Sequence, residues 1–223
     1  MIYDLSWDGR VKLTIVYDNE VTRKGLKAGW GFSSLIEAEN TPPILFDTGA
    51  DSPTLLHNMK ELGIDPKRIG IIVISHAHGD HAGGLDGVLQ INKEAEVYVP
   101  ASFWWTIPGR KVTTVTDALQ IAEGVFSTGE LGGMEQALAL RTSQGILVGV
   151  GCSHPGLGEI IDAASRFGKV YGVVGGLHAF SDFKRLNGLS VIGPCHCTLY
   201  QSEIRRLFPK QCLGCGVGMV LEQ

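Results

Sequence analysis

Thirty glycines are scattered through the chain, and they bracket short apolar runs instead of gathering into one tract. Glycine weakens helix interiors and eases tight turns, so this spacing dictates many short strands joined by turns. Residues 12–17 alternate and are rich in β-branched side chains, 33–37 and 44–46 read similarly, and 69–75 reads as a buried strand. These four fit one sheet. Between them Ser52-Pro53 offers an N-cap with proline at the first helical position, Leu55, Leu56, Met59 and Leu62 repeat at helical spacing, and Gly63 closes the pattern.

The same grammar continues. A short helix is expected near 85–91, then strands at 96–99, 112–115 and around 124–126, and a hairpin from 137–141 through Ser143-Gln144-Gly145 to 146–150. Leu157, Ile160, Ile161, Ala164 and Phe167 make a second helical stripe, 170–174 another buried strand, and Val191-Ile192, a helix near 201–207 and a strand at 217–221 complete the chain. No repeat or linker divides residues 1–223, so one α/β domain is expected: two packed sheets with helices on their outer faces. A chain of this length buries roughly 70 percent of its unfolded surface and needs no disulfide staple.

Charge and cysteine usage narrow the partners. Lys+Arg 19 against Asp+Glu 23 gives a net charge of -4 with no basic cluster, which argues against a nucleic-acid surface and leaves a small-molecule substrate. The longest apolar stretch, 69–74, is far too short to span a membrane. The N-terminus places acids where a secretory signal would be basic and then apolar, and five cysteines form an odd set, so a reducing, cytoplasmic location is expected. A homo-oligomer is left open.

The strongest chemical signal follows the strand at 69–75: His76-Ala77-His78-Gly79-Asp80-His81. In extended backbone His76 and His78 face one side and can grip one cation, while Gly79 permits a turn that swings Asp80 and His81 toward a second position. Imidazole with carboxylate suits zinc first, with iron, manganese and nickel as further candidates. Three more histidines, His154, His178 and His196, each sit in a glycine-rich turn just after an apolar run, where strand ends of one sandwich edge converge. His57 reads as a helix-face residue.

The run His76 to His81 resembles the signature of the metallo-β-lactamase superfamily, and the likeness extends over nearly the whole chain. The resemblance implies an αββα sandwich with one or two divalent metal ions. His76, His78 and His154 would bind the first and Asp80, His81 and His196 the second. It also implies that Asp47, in Leu45-Phe46-Asp47-Thr48-Gly49, supports the histidine run from behind the ligands. Tyr17-Asp18-Asn19, Gly151-Cys152-Ser153-His154, Gly175-Gly176-Leu177-His178 and Pro194-Cys195-His196-Cys197 are similar to the branch that includes the 7,8-dihydropterin-6-methyl-4-(β-D-ribofuranosyl)aminobenzene-5'-phosphate synthase-like proteins. One departure matters. Histidine stands at 178 where most two-metal members carry a bridging carboxylate, and a neutral imidazole has one free lone pair and cannot bridge.

Three activities follow as expectations. The first is a hydrolase that uses a metal-activated hydroxide on a small substrate, phosphorylated or not, with Asp80 and His178 as catalytic groups. The stretch 101–110, with Trp104, Trp105 and Arg110, is then expected to wall the cleft. The second is a transferase or lyase reaction of the synthase type. The third is a redox or metal-sensing site built from Cys195, Cys197, Cys212 and Cys215.

Overall fold

The alternation in the sequence becomes two sheets, seen in a computed structural model that describes residues 9–223. The N-terminal acids weighed against a secretory signal lie in residues 1–8, outside the described residues. The first sheet takes β1 (Val11–Tyr17), β2 (Ser33–Ala38), β3 (Ile44–Phe46), β4 (Ile71–Val73), β5 (Glu96–Pro100) and β6 (Val112–Val115). The second takes β7 (Leu119–Ala122), β8 (Val125–Ser127), β9 (Leu138–Thr142), β10 (Gly145–Val150), β11 (Val170–Gly176) and β12 (Val191–Cys195), and β13 (Val220–Glu222) returns to pair with β1. Their orders are β13-β1-β2-β3-β4-β5-β6 and β12-β11-β10-β9-β8-β7. Both sheets are mixed, with β3 to β6 mutually parallel, and β10, β11 and β12 likewise.

Successive side chains on a strand point to opposite faces, and here both faces are covered. In β3, Ile44 and Phe46 face the other sheet while Leu45 faces outward; in β10, Leu147 points inward and Ile146, Val148 and Val150 outward. Helix α1 (Ser52–Glu61) and, beyond the single turn α2 (Gly79–Ala82), helix α3 (Leu85–Ile91) cover the first outer face. Leu55, Met59, Leu85 and Val88 pack there on Leu45, Ile72 and Val97. Helix α4 (Leu157–Ala164) and α5 (Gln201–Leu207) cover the second, with Leu157, Ile160 and Ile204 on Val148, Val173 and Ile192. The layers are therefore helix, sheet, sheet, helix. No helix among the described residues is long and apolar enough to cross a membrane.

Two details differ from expectation. The N-cap of α1 is Asp51, whose carboxylate accepts from the Thr54 N–H at 2.7 Å, while Ser52 opens the helix and turns its hydroxyl to the Gly84 carbonyl. A carboxylate outcompetes a hydroxyl for the orphan amides of a first turn. Strand β7 went unread because, at an exposed sheet edge, only Ile121 of its four residues is buried.

The parallel strands position the site. The chain leaving the C-terminal ends of five of them carries residues singled out above: Asp47 after β3, His76 and the rest of its run after β4, His154 after β10, His178 after β11 and His196 after β12.

Candidate metal centre

Extended backbone does not carry the histidine run through, as its spacing had implied. Strand β4 stops at Val73, and Asp80 and His81 ride on the single turn α2, entered from an extended His78. Gly79 keeps an ordinary backbone conformation with open space around it, so the turn does not depend on its being glycine.

Two clusters form. His76 Nε2 lies 3.0 Å from His78 Nδ1, and a ligand atom of His154 joins them, all within 4.8 Å of one another. Asp80 Oδ2 lies 3.3 Å from His196 Nε2, and His81 completes the second group within the same 4.8 Å limit. Donor atoms sharing one tetrahedral ion stand roughly 3.3–3.7 Å apart, and the His76–His78 and Asp80–His196 pairs lie close to that spacing. The clusters adjoin, with the His76 and His81 rings 4.2 Å apart.

The tautomers follow from what lies behind each ring. Asp47 is fully buried; its Oδ1 accepts from the Ser75 N–H, and its Oδ2 from the Ser75 hydroxyl and His81 Nδ1, each at 2.7 Å. The Ser75 hydrogen is thereby committed, so His76 Nδ1 donates to Ser75 Oγ at 2.8 Å. Asn19 donates its amide to the His196 carbonyl and accepts from His196 Nδ1 at 3.0 Å. In their neutral forms His76, His81 and His196 thus carry the ring proton on Nδ1 and turn an unprotonated Nε2 toward the centre, the form a metal requires. The Nε2 atoms of His154 and His196 are buried without a hydrogen-bond partner. These orphaned nitrogens fit a divalent ion that completes them.

Backbone strain concentrates here too. Of five non-glycine residues described with left-handed φ, four are at the site: Asp47 (58°), Ser153 (62°), His178 (46°) and His196 (46°). Buried Glu135 holds the turn that carries His154, accepting from the N–H groups of Cys152 and Ser153 at 2.9 Å and of His154 at 2.8 Å. Asp18 braces the opposite loop through the His196 N–H at 3.0 Å. Glu135 carried no signal in the sequence, since one glutamate in a turn is unremarkable until three amides converge on it.

Electrostatics at His76, His154 and Asp80 suit ligation, while at His81 a proton competes with an ion. Burial, then the neighbouring histidines, hold His76 well below the ordinary imidazole range, and the same causes lower His154 to about 4. Burial works against ionised Asp80, but His196 and His81 outweigh it and keep its carboxyl well below the usual range. For His81, burial opposes protonation and Asp47 prevails, raising it. Burial raises Asp18 to about 6, against the amides that it accepts from.

Other expected residues are placed differently. His178 is exposed and joins neither cluster; its ring stands 4.9 Å from that of His154, at the rim. Trp104, 77% exposed, lines a cleft of about 210 Å³ with His76, His78, Ser102, Met134 and His154. Arg110 does not: its guanidinium donates to the carbonyls of Leu89 and Lys93, and Trp105 packs against the outer core. The four-cysteine site does not assemble. Cys195 and Cys215 lie between the sheets and Cys212 packs beneath the helices, while the left-handed turn at His196 separates Cys197 from Cys195. Cys197 instead meets Cys152, which the sequence reading had left aside, at 3.3 Å. In that contact Cys197 is the donor and the Cys152 sulfur accepts.

Residues 28–136, which include Asp47 and the histidine run, match the family described as the metallo-beta-lactamase superfamily. The 7,8-dihydropterin-6-methyl-4-(beta-D-ribofuranosyl)-aminobenzene-5'-phosphate synthase of Methanocaldococcus jannaschii is 29% identical, over 78% of this chain and 82% of that protein. Among solved structures, Tm1679, described as a metal-dependent hydrolase of the beta-lactamase superfamily, superposes with a TM-score of 0.77 at 27% identity, covering 95% of this chain and 98% of that one. YhfI from Bacillus subtilis, a metallo-beta-lactamase fold protein, shares the fold at 12% identity with a TM-score of 0.67, covering 97% and 100%.

Proposed function

The chain belongs to the metallo-β-lactamase superfamily, and from that membership we propose that it is a metal-dependent hydrolase of a small substrate. One observation carries the reading. Two adjoining sets of ligand atoms, His76, His78 and His154 beside Asp80, His81 and His196, contain orphaned nitrogens, and the first set opens onto a cleft. A divalent ion there, zinc first, would supply Lewis acidity and lower the pKa of a water from about 15.7 toward about 7. Asp80, held ionised, would bind the ion and orient the nucleophile. His178 at the rim would donate to charge developing on the substrate. The cleft of about 210 Å³ suits a small molecule, and the exposed Trp104 in its wall offers a face for a planar ring.

The 29% identical synthase supports a second reading, in which the same residues hold a phosphorylated or pterin-like substrate and no water attacks. Isotope labelling separates the two. Turnover of an ester and phosphodiester panel in ¹⁸O-labelled water, abolished by chelation and restored by zinc, with label in the product, is the expected result. Metal-dependent turnover of pterin precursors with no label incorporated moves the assignment to the synthase type.

A further inference from the structure

If a metal ion sits at each cluster, something must hold the pair together, and the histidine at 178 cannot bridge them. Cys152 can. Its sulfur lies 3.1 Å from His81 Nε2. It forms a group with ligand atoms of His76 and His81, and a second with those of His196 and Cys197, each within 4.8 Å. One atom is therefore within ligand reach of both clusters: His76 belongs to the first, His81 and His196 to the second. A thiolate carries several lone pairs and can bind two cations at once, which a neutral imidazole cannot.

The surroundings are built around that sulfur. Cys152 is 3% exposed, and its N–H is fixed by Glu135, so its side chain projects from an anchored turn. Glycine on both flanking chains leaves the room. A Cβ on Gly151 would stand 2.2 Å from Ser75 Oγ, and one on Gly176 would stand 2.7 Å from Cys197 Sγ and 3.3 Å from Cys152 Cα. A side chain at either position would push the cluster apart. A cysteine that merely filled core space would have no need of two imidazole nitrogens and a second thiol facing it.

We propose that the Cys152 thiolate is a shared ligand of the two metal positions, in the role a bridging carboxylate plays elsewhere, with Cys197 as its hydrogen-bond partner and not itself a ligand. This rests on the metal reading above. The test is cobalt(II) loading of reduced, oxygen-free protein, after confirming five free thiols on denaturation. Wild type is expected to take two cobalt ions and to show a near-ultraviolet thiolate-to-cobalt charge-transfer band. Cys152→Ser should lose the band and bind the second ion at least tenfold more weakly, while Cys197→Ser keeps both. X-ray absorption at the metal edge of wild type and Cys197→Ser should find a sulfur neighbour at about 2.3 Å, so the result stands even where Cys152→Ser fails to fold. Two bound ions with no charge-transfer band and no sulfur neighbour overturn the shared ligand and leave the metal reading intact. A band lost in Cys197→Ser but kept in Cys152→Ser overturns it as well. Failure of wild type to bind cobalt any better than His78→Ala removes the metal reading and the bridge together.

Discussion

Replacing Asp47 by asparagine changes one oxygen to an amide and should disable the second ion position without touching a ligand. In the native protein both carboxylate oxygens accept, one from the Ser75 N–H and the other from the Ser75 hydroxyl and His81 Nδ1. An asparagine can satisfy only one side. With its oxygen toward the Ser75 N–H, its NH2 meets His81 Nδ1, which must then accept, and the ring proton moves to Nε2, where the metal would bind. With its oxygen toward His81, its NH2 opposes the Ser75 N–H, and a buried donor is left unpaired at a cost of about 1–3 kcal/mol. Either route predicts a loss of roughly 10- to 100-fold in affinity for the second ion. Competition against a chromophoric chelator, in wild type and Asp47→Asn, measures it. The metal-free proteins give an independent check. Asp47 raises His81, so that contribution to stability is fully present below about pH 6.5 and is lost as pH rises through the folded value. The melting temperatures of wild type and variant should therefore diverge as pH falls from 8 to 6. Unchanged affinity for both ions, with a gap independent of pH, would refute the tautomer argument.

Three further outcomes are expected. In Glu135→Gln one amide oxygen can keep the Cys152 and Ser153 N–H groups, but the NH2 faces the His154 N–H; a loss of about 1–3 kcal/mol in chemical unfolding should accompany a weaker first ion. Asp18 is raised from 3.8 to about 6, so in metal-free protein folding takes up a proton and stability should fall by up to about 3 kcal/mol as pH rises across that window. Asp18→Asn should flatten that decline, and urea titrations from pH 4 to 8 that keep the same slope in both proteins would exclude the effect. Trp104→Ala should raise KM for an aromatic substrate about 2- to 10-fold with kcat unchanged, as loss of one stacking face of about 0.5–1.5 kcal/mol requires, whereas Arg110→Ala should leave both constants alone.

The fold was legible where β-branched runs or helical spacing of apolar residues were clear. Ile44–Phe46, Val112–Val115, Leu85–Ile91 and Gln201–Leu207 form where periodicity placed them, while the half-exposed Leu119–Ala122 escaped. The candidate site was legible in its histidines, since a run holding four candidate ligands and two more in matching glycine-rich turns are a strong local pattern. Its supports were not. Glu135, Ser75 and Asn19 act through contacts that join distant parts of the chain, and Cys152 looked like one thiol among five until the fold set it against Cys197 and His81. The expectation for Arg110 failed for a local reason: a guanidinium near the end of α3 finds two bare carbonyls to cap before it can reach the cleft.

Because the candidate ligands and their supports hang from the ends of neighbouring parallel strands, the site is modular in a way that bears on its evolution. The registers of β3 with β4 and of β10 with β11 and β12 fix where Asp47, His76, His154 and His196 emerge, whatever the turns beyond them do. Side chains such as Trp30, Trp104 and Leu199 are exposed and lie outside the core. Substitutions or insertions there can be sampled one turn at a time while the chemical centre stays put. A lineage built on this scaffold can therefore exchange substrates without first relinquishing its metal.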